Sequence, residues 1–283
     1  MSRLKNIAFS NMKELEKVKI KISKEGLKKF HVISDFDGTL TKEFVNDKRI
    51  PSIISILREE RHLTEDYPEK AYALFDKYYP IEKDSKISVE EKKKAMHKWW
   101  MEHFDLLIKS GLNRKDIRKV VESNKIQLRE GALEFFDILN EHKIPLVIFS
   151  SSGIGDAIPL LIGKYGKLYK NIHVISNLFE WDKNGKAIKV KQPIIHSMNK
   201  DEHSIKNHSI FSVIKDRKNV LLLGDHLGDL GMIKEFNYKN LIKIGFLNDE
   251  VKDNIEKYER NFDVVISNDS PMEYVNQLLK ELF

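Results

Sequence analysis

The sequence predicts a doubly wound α/β fold in which a mostly parallel sheet carries helices on both faces. Six short segments rich in branched aliphatic residues are apolar nearly throughout, which is typical of parallel strands buried on both faces. Segments with helical spacing of apolar residues lie between several of them, and this alternation indicates parallel β–α units. The six predicted strands are 30–35, 145–150, 172–176, 219–224, 241–246 and 263–267.

The predicted core also contains two clear helices and one hairpin. Residues 131–142 and 155–165 place apolar side chains at helical spacing. Between 178 and 190 the chain alternates polar and apolar residues around Asn184-Gly185. This pair favours the tight turn of a hairpin, because both types of residue tolerate a positive φ angle.

One interval breaks the alternation of strands and helices. About 110 residues separate the first and second predicted strands, which is far more than one crossover helix requires. The interval shows helical patterns and no convincing strand. We therefore predict a helical cap domain at 46–125, inserted into a core formed by 1–45 and 126–283.

Capping residues divide the insert into three predicted helices. Thr64 can cap the first helix, and Asn113 can cap the third. Ser88 and Glu91 form the pattern of a capping box, so the second helix is predicted to begin there. This second helix is expected to end near Gly111.

The composition excludes several classes of protein. The chain has 283 residues, of which 41% are hydrophobic and 33% charged, so its composition is that of a folded globular protein. It contains no cysteine, which excludes a disulfide framework, a thiolate metal site and a cysteine nucleophile. No apolar run has the length of a membrane span and no secretion signal stands out, so we expect a cytoplasmic protein without a membrane partner.

The charge distribution argues against a nucleic-acid partner. The formal net charge is +6, from 49 basic and 43 acidic residues. Lysines are scattered and mostly alternate with acids, which is typical of solvated helix faces. No arginine-rich block and no run of mixed basic and aromatic residues occurs, so no nucleic acid is expected as partner. We expect a monomer that binds a small molecule.

Two acidic side chains follow the first predicted strand directly, in the segment Asp35-Phe-Asp37-Gly-Thr. Ligands of open α/β sheets bind outside the carboxyl ends of the strands, which is where these carboxylates lie. Acids separated by one residue in extended backbone point the same way. Two like charges so close are unfavourable unless a cation lies between them or one is protonated. The alternative is a surface turn after a strand.

A second acidic pair strengthens the interpretation as a site. Asp225 and Asp229 come just after another buried strand, in the segment LLLGDHLGD. Oxygen ligands from separate loops at one sheet edge suit Mg²⁺, which binds few carboxylates together with substrate phosphate. The two pairs together predict a magnesium site.

Two further segments offer groups for a phosphate. The run Ser150–Asp156 follows the second predicted strand and is expected to open a helix, where hydroxyls and free N–H groups can bind phosphate oxygens. Plain helix capping is the alternative. Lys200, in the segment HSMNK, can offer a positive charge, although a lone lysine is more often solvated surface.

The first acidic motif resembles that of the haloacid dehalogenase (HAD) superfamily of phosphotransferases, and this resemblance implies a Rossmann-like core. It implies that Asp35 is a nucleophile that forms an aspartyl-phosphate. Asp37 would be the general acid and then the general base. Asp225 would bind Mg²⁺ together with Asp35 and the backbone carbonyl of Asp37, so these three are the implied metal ligands. Asp229 would support them.

A narrower resemblance covers most of the chain. The segments FHVISDFDGTLT, YYPIEKDSKISVEEK, IFSSSGIGD, HSMNK, LLLGDHLGDLGM and KIGFLND occur in the order seen in the cytosolic pyrimidine 5′-nucleotidase family. The chain is thus similar to enzymes that hydrolyse nucleoside 5′-monophosphates such as UMP, CMP or 7-methyl-GMP with Mg²⁺. The resemblance implies that Ser150 and Lys200 bind phosphate. An additional serine leaves open whether Ser150, Ser151 or Ser152 contacts it.

The same resemblance suggests how the base is recognised. Glu82 would be the carboxylate of the cap domain that recognises the nucleotide, although on sequence alone it is one more exposed glutamate. Trp99 and Trp100 point about 100° apart on a helix, so one can face the cleft. By analogy with relatives, Trp100 is expected to stack on the base while Trp99 packs inward. The alternative is that both fill the interface between cap and core.

Two other functions stay open at this point. The chain could be a phosphatase for another small phosphomonoester, such as a phosphosugar or phosphoserine. It could also be a catalytically silent module that binds nucleotides or RNA. The intact set of Asp35, Asp37, Lys200 and Asp225 argues against silence.

Overall fold

The structure is a computed structural model that describes residues 6–59, 63–84, 86–200, 206, 208–234 and 236–283. Residues 1–5 of the predicted core lie outside the described residues. The strands are β1 Ile7–Phe9, β2 Phe30–Ser34, β3 Phe44–Val45, β4 Lys48–Arg49, β5 Leu146–Ile154, β6 Ile172–Asn177, β7 Phe179–Trp181, β8 Ala187–Val190, β9 Asn219–Gly224, β10 Asn240–Leu247 and β11 Val264–Ser267.

Helices surround these strands. The α-helices are α1 Met12–Glu25, α2 Ile53–Glu59, α3 Tyr67–Lys83, α4 Val89–Lys109, α5 Arg114–Glu122, α6 Ala132–Glu141, α7 Ala157–Lys164, α8 Phe211–Ile214, α9 Val251–Glu259 and α10 Glu273–Leu282. Short 3₁₀ helices cover Leu27–Lys29 and Leu227–Ile233. Among the helices that the structure describes, none is both long and apolar enough to cross a membrane.

The central sheet has seven strands in the order β1-β11-β10-β9-β2-β5-β6. All pairs are parallel except β1 with β11. The six predicted strands are confirmed, and so is the doubly wound α/β fold. The antiparallel edge strand β1 was not predicted, because three half-buried residues are too short to show a period. The order places β2 beside β9, so the carboxyl ends of these two strands are neighbours.

The hydrophobic core fills both faces of the sheet and continues into the insert. On β2, Val32 belongs to one cluster of buried side chains and Ile33 to the cluster on the other face, as the pleat of a strand requires. The first cluster also contains Ile56 of α2 and Phe104 of α4. Insert and sheet therefore share one continuous apolar interior.

The insert contains the three predicted helices, with three corrections at its start, of which the first is the additional short helix α2. The capping box of Ser88 with Glu91 is present, and Asn113 caps α5. The prediction that Thr64 caps the first helix was wrong, because α3 begins at Tyr67 with Asp66 at the N-cap. Thr64 contributes its backbone carbonyl, which accepts the Tyr67 N–H at 3.0 Å.

A small antiparallel ribbon, β3 with β4, spans the predicted start of the insert, where no strand was expected. Its turn residues Asn46 and Asp47 both have positive φ angles, 51° and 59°. The strands have two residues each, which is too short for a sequence pattern. The limits 46–125 of the cap domain stay a prediction.

The predicted hairpin is confirmed as β7 with β8, and it joins the core to the insert. The Ala187 N–H donates to the Leu112 carbonyl at 2.8 Å, and the Arg114 N–H donates to the Gly185 carbonyl at 2.9 Å. The connection between α4 and α5 is thereby hydrogen-bonded to the core. The hairpin thus fixes this end of the insert relative to the sheet.

Strand β2 buries an ionisable ring. His31 is 0% exposed, and its ring lies against Phe236 with centroids 5.0 Å apart. Burial lowers the pKa of His31 from 6.5 to about 3, because the protonated ring would lose its hydration. As the pH falls, the unfolded chain therefore takes up this proton before the native state does. The neutral buried ring therefore contributes fully to the free energy of unfolding above pH 6.5. This contribution is lost progressively as the pH falls from 6.5 to 3.

The variant His31→Phe should make the protein less sensitive to acid. It keeps an aromatic ring against Phe236 and removes the titrating group. Between pH 6 and 4, the free energy of unfolding of the wild type should fall about 1.4 kcal/mol per pH unit more steeply than that of the variant. Urea denaturation at each pH measures the difference. Parallel curves for the two proteins would contradict the assignment of this acid sensitivity to His31.

Candidate active site

The two acidic motifs meet at the carboxyl ends of β2 and β9. The Asp35 N–H donates to the Leu223 carbonyl at 3.0 Å, which continues the pairing of the two strands up to the site. One carboxylate oxygen each from Asp35, Asp225 and Asp229 lies within 4.8 Å of the others. Asp35 and Asp229 are buried. The structure thus brings the residues of the two motifs together at one sheet edge.

A buried lysine lies against this cluster. Lys200 Nζ donates to Asp229 Oδ1 at 3.1 Å and also contacts Asp35 Oδ1. Burial by itself would lower the pKa of Lys200, but the carboxylates of Asp229 and Asp35 raise it above its ordinary value. The lysine therefore stays protonated. Its burial, at 7% exposed, removes the reading of Lys200 as solvated surface.

The cluster carries more negative charge than the lysine neutralises. Burial raises the pKa of Asp225, and the nearby carboxylates of Asp35 and Asp229 raise it further. Burial likewise raises the pKa of Asp35, although the Lys200 ammonium opposes this. Crowded carboxylates of this kind are stabilised by a bound cation. The donors are all oxygen atoms, and this donor set fits Mg²⁺.

Two glycines allow the carboxylates to come this close. Gly38 has a φ of +67°, and a Cβ atom there would lie 2.7 Å from Asp225 Oδ2. A Cβ atom on Gly224 would lie 2.6 Å from the Cβ of Asp229. Any side chain at either position would push an aspartate of the cluster away.

Asp229 has protein partners on both of its oxygens. Its Oδ1 accepts from Lys200, and its Oδ2 accepts the backbone N–H of His226 at 3.0 Å. This second bond caps the 3₁₀ helix Leu227–Ile233 that follows β9. These two hydrogen bonds hold the Asp229 carboxylate in place, and its supporting role stays a prediction.

The serine run differs from the prediction. Strand β5 continues through Ser150, Ser151 and Ser152 to Ile154, and α7 begins only at Ala157. The hydroxyls therefore lie on a strand extension, where the pairing with β6 shifts register, and not at a helix N-terminus. The prediction was wrong because a sequence does not show how far beyond its apolar part a strand extends.

The three serines have different contacts. Ser150 Oγ is buried and accepts the Gly153 N–H at 2.9 Å, whereas the Ser151 carbonyl accepts Asn177 Nδ2 at 2.8 Å. Ser152 Oγ donates to Asp37 Oδ2. Ser152 was one of the three serines left open as a phosphate contact, and the structure places its hydroxyl against Asp37. The sequence did not predict this contact.

Asp37 lies beside the carboxylate cluster. Its carboxyl group is not among the three that converge within 4.8 Å. Burial raises the pKa of Asp37, and the hydrogen bond from Ser152 opposes this increase. A raised pKa favours the protonated form of the carboxyl group, and this is the form from which a general acid donates.

The residues predicted to recognise the base lie on the insert. Glu82 is in the last turn of α3, and its Oε1 accepts a hydrogen bond from Ser197 Oγ at 2.5 Å. Trp100 packs against Phe104 with ring centroids 5.3 Å apart. Trp99 stacks on Tyr78 at 6.0 Å. Both indoles are half-buried, so the stacking role of Trp100 stays a prediction.

Comparison with known proteins places the chain in a family. The family model described as "Pyrimidine 5'-nucleotidase (UMPH-1)" matches residues 38–283. The chain belongs to the pyrimidine 5′-nucleotidase family. The match begins directly after Asp37, so the family model itself does not cover Asp35 and Asp37.

Individual relatives of this nucleotidase family agree with the assignment. The chain is 37% identical over 261 residues to the "7-methylguanosine phosphate-specific 5'-nucleotidase A" of Xenopus laevis, covering 92% of this chain and 90% of the relative. It is also similar to the crystal structure of cytosolic 5'-nucleotidase IIIB bound to cytidine, with a TM-score of 0.88, 27% identity, and coverage of 99% of this chain and 94% of the other. Phosphoserine phosphatase in its apo form shares the fold, with a TM-score of 0.52, 18% identity, and coverage of 87% and 96%.

A buried arginine that the sequence analysis missed holds the first motif of this nucleotidase in place. Arg129 is 1% exposed. Its Nε donates to the Thr39 carbonyl at 2.8 Å, and its Nη2 donates to the Gly38 carbonyl. The guanidinium thus binds the backbone just beyond Asp35 and Asp37. In the sequence, Arg129 is a single charged residue before an apolar helix, and an arginine at such a position is usually exposed.

The same guanidinium connects the motif to the other end of the sheet. Arg129 Nη1 lies 3.0 Å from Asp269 Oδ1 and donates to the Ser270 carbonyl at 2.8 Å. Its Cζ lies 4.5 Å from the ring centroid of Phe246. Asp269 also accepts the backbone N–H groups of Glu43 and Phe44. The loop after β2 is thereby tied to the chain that follows β11.

The variant Arg129→Lys should destabilise the protein although it keeps the charge. A lysine cannot donate to all these carbonyl groups, so buried acceptors lose their partners. We expect the free energy of unfolding in urea to fall by about 2–4 kcal/mol. The control Arg118→Lys, at an exposed position of α5, should change it by less than about 0.5 kcal/mol. Equal small effects of both variants would show that the carbonyl contacts of Arg129 do not stabilise the fold.

Proposed function

We propose that the chain is a Mg²⁺-dependent 5′-nucleotidase that hydrolyses nucleoside 5′-monophosphates to nucleoside and phosphate. The observation that carries the proposal is the buried contact of Lys200 with Asp35 and Asp229 beside Asp225, at the carboxyl edge of the sheet in a chain of this family. The proposed substrates are pyrimidine nucleotides such as UMP and CMP, and also 7-methyl-GMP. The names of the relatives support both classes of base.

The proposed reaction has two displacements at phosphorus. A carboxylate oxygen of Asp35 attacks the phosphorus, a new P–O bond forms, and the bond to the 5′ oxygen of the nucleoside breaks. Asp37 gives its proton to the departing oxygen. In the second step Asp37 takes a proton from water, the water oxygen attacks the phosphorus, and the bond to Asp35 breaks. Phosphate leaves and Asp35 is restored.

The remaining polar residues bind and neutralise the transferring group. The Lys200 ammonium lies beside Asp35, where negative charge collects on the phosphoryl oxygens. Asp35, Asp225 and the backbone carbonyl of Asp37 would hold Mg²⁺, which supplies further positive charge to those oxygens when bound. We propose Ser150 and Ser151 as phosphate ligands. The Ser152 hydroxyl would in addition orient the Asp37 carboxyl group, to which it donates.

The insert would determine which leaving groups, here nucleosides, the enzyme accepts. Glu82 and Trp100 belong to its helices, whereas the residues around Asp35 and Lys200 come from the sheet and its loops. We propose that Glu82 accepts a hydrogen bond from the base and that Trp100 stacks on it. We further propose that the enzyme acts as a cytoplasmic monomer without nucleic acid as partner, and the word cytosolic in the name of the similar structure supports this location.

A panel of phosphate esters tests the proposed function. With Mg²⁺, the enzyme should release phosphate from UMP, CMP or 7-methyl-GMP with a kcat/KM at least about tenfold above that for phosphoserine or ribose 5-phosphate, since the base adds contacts. Removal of the metal with a chelator should abolish the activity. Asp35→Asn should reduce it by roughly a thousandfold or more. The control Asp105→Asn, on the exposed face of α4, should keep normal activity.

Two outcomes would contradict the proposal. Equal or better turnover of the esters without a base would assign the chain to another class of phosphatase. Retained nucleotide binding with no phosphate released from any ester would identify a silent binding module.

A further inference from the structure

A hydrogen bond crosses from the core to the residue proposed to recognise the base. Ser197 Oγ donates to Glu82 Oε1 at 2.5 Å, and both side chains are half-buried. The two residues are 115 positions apart, one on the last turn of α3 and the other in the loop after the hairpin. Hydrogen bonds to an ionised carboxylate are among the stronger ones in proteins. The bond therefore restrains a side chain that would otherwise rotate freely.

The backbone on both sides of this bond is held in place. The carbonyl of Glu82 accepts from Lys92 Nζ on α4 at 2.8 Å. On the other side, Asn177 at the end of β6 binds both the N–H and the carbonyl of Ile195, at 2.9 and 3.0 Å. The Ser197 hydroxyl thus has a defined position relative to both the sheet and the insert.

The loop of Ser197 also leads directly to the phosphate end of the site. Lys200 follows three residues later and contacts Asp35 and Asp229. Within this loop, the His196 N–H donates to Asn199 Oδ1 at 2.7 Å, which tightens the turn between the two functional positions. One short segment therefore contacts both the proposed base-reading carboxylate and the nucleophile.

From this arrangement we infer that Ser197 is a positioning residue that determines base specificity. Its hydroxyl holds the Glu82 carboxylate through Oε1, so that Oε2 is left to form the hydrogen bond with the base. The Oε2 atom can then accept an N–H group of the base edge, such as N3–H of uracil or the amino group of cytosine. The inference rests on the proposed function, because it concerns how the nucleotide is selected there.

A comparison of two substrates isolates this role. UMP carries a base, whereas ribose 5-phosphate offers the same ester without one. In Ser197→Ala, the KM for UMP should rise roughly three- to tenfold, as expected for the loss of one positioning hydrogen bond. The kcat for UMP and the kcat/KM for ribose 5-phosphate should stay unchanged. Ser197→Thr restores a hydroxyl and should recover most of the affinity.

Two further variants separate positioning from a general structural effect. Ser123→Ala removes another half-buried serine hydroxyl of the insert, which donates to the Val120 carbonyl and accepts the Lys125 N–H, both close in sequence, and it should leave both substrates unaffected. In Glu82→Ala, UMP should lose its preference, and adding Ser197→Ala to this variant should cause no further change. Contacts that act through one another show such non-additivity.

Three results would overturn the inference. An unchanged KM for UMP in Ser197→Ala would show that the bond does not position Glu82. Equal losses with UMP and ribose 5-phosphate would show that the loop supports Lys200 and not base selection. Additive losses in the double variant would show that Ser197 acts independently of Glu82. A wild-type protein that prefers ribose 5-phosphate would instead contradict the proposed function, and the inference with it.

Discussion

The contact of Lys200 with Asp35 and Asp229 is the interaction on which the site depends. Carboxylates of three aspartates converge where two parallel strands end, and the buried ammonium group of Lys200 offsets part of their mutual repulsion. The lysine remains protonated because those same carboxylates surround it. The remaining negative charge creates a place for a cation and then for a phosphate. Attraction and crowding in this cluster are therefore the physical basis of both the proposed magnesium site and the reactivity proposed for Asp35.

The fold provides the constraints that this cluster needs. The sheet order places β2 beside β9, so two short motifs far apart in sequence reach the same edge. Glycines at 38 and 224 remove side chains that would press on the aspartates. Arg129 then fixes the backbone of the first motif through the carbonyl groups of Gly38 and Thr39, and Asn248 also binds the first of them. A charged site of this kind is stable because rigid backbone surrounds it on several sides.

The sequence predicted the parts of the fold that have a period or a motif, and it missed those that depend on tertiary contacts. Strands buried on both faces and the capping residues Ser88 and Asn113 leave clear patterns, and these were confirmed. Strand β1 and the ribbon at Phe44–Val45 are too short for a period. Arg129 looks ordinary in sequence, because its role arises only from contacts with distant backbone and with Asp269. The bond between Ser197 and Glu82 is of the same kind, since each residue alone reads as surface.

The central claim is that Asp35, held by Lys200, becomes covalently phosphorylated during turnover. A rapid acid quench of the enzyme during UMP hydrolysis, followed by reduction with borohydride, converts an acyl phosphate into an alcohol. Mass spectrometry of the peptides then locates the modified residue. The account predicts homoserine at position 35 of the wild type and unmodified aspartate at position 37. Steady turnover with no reduced residue, or with the reduced residue at another aspartate, would contradict it.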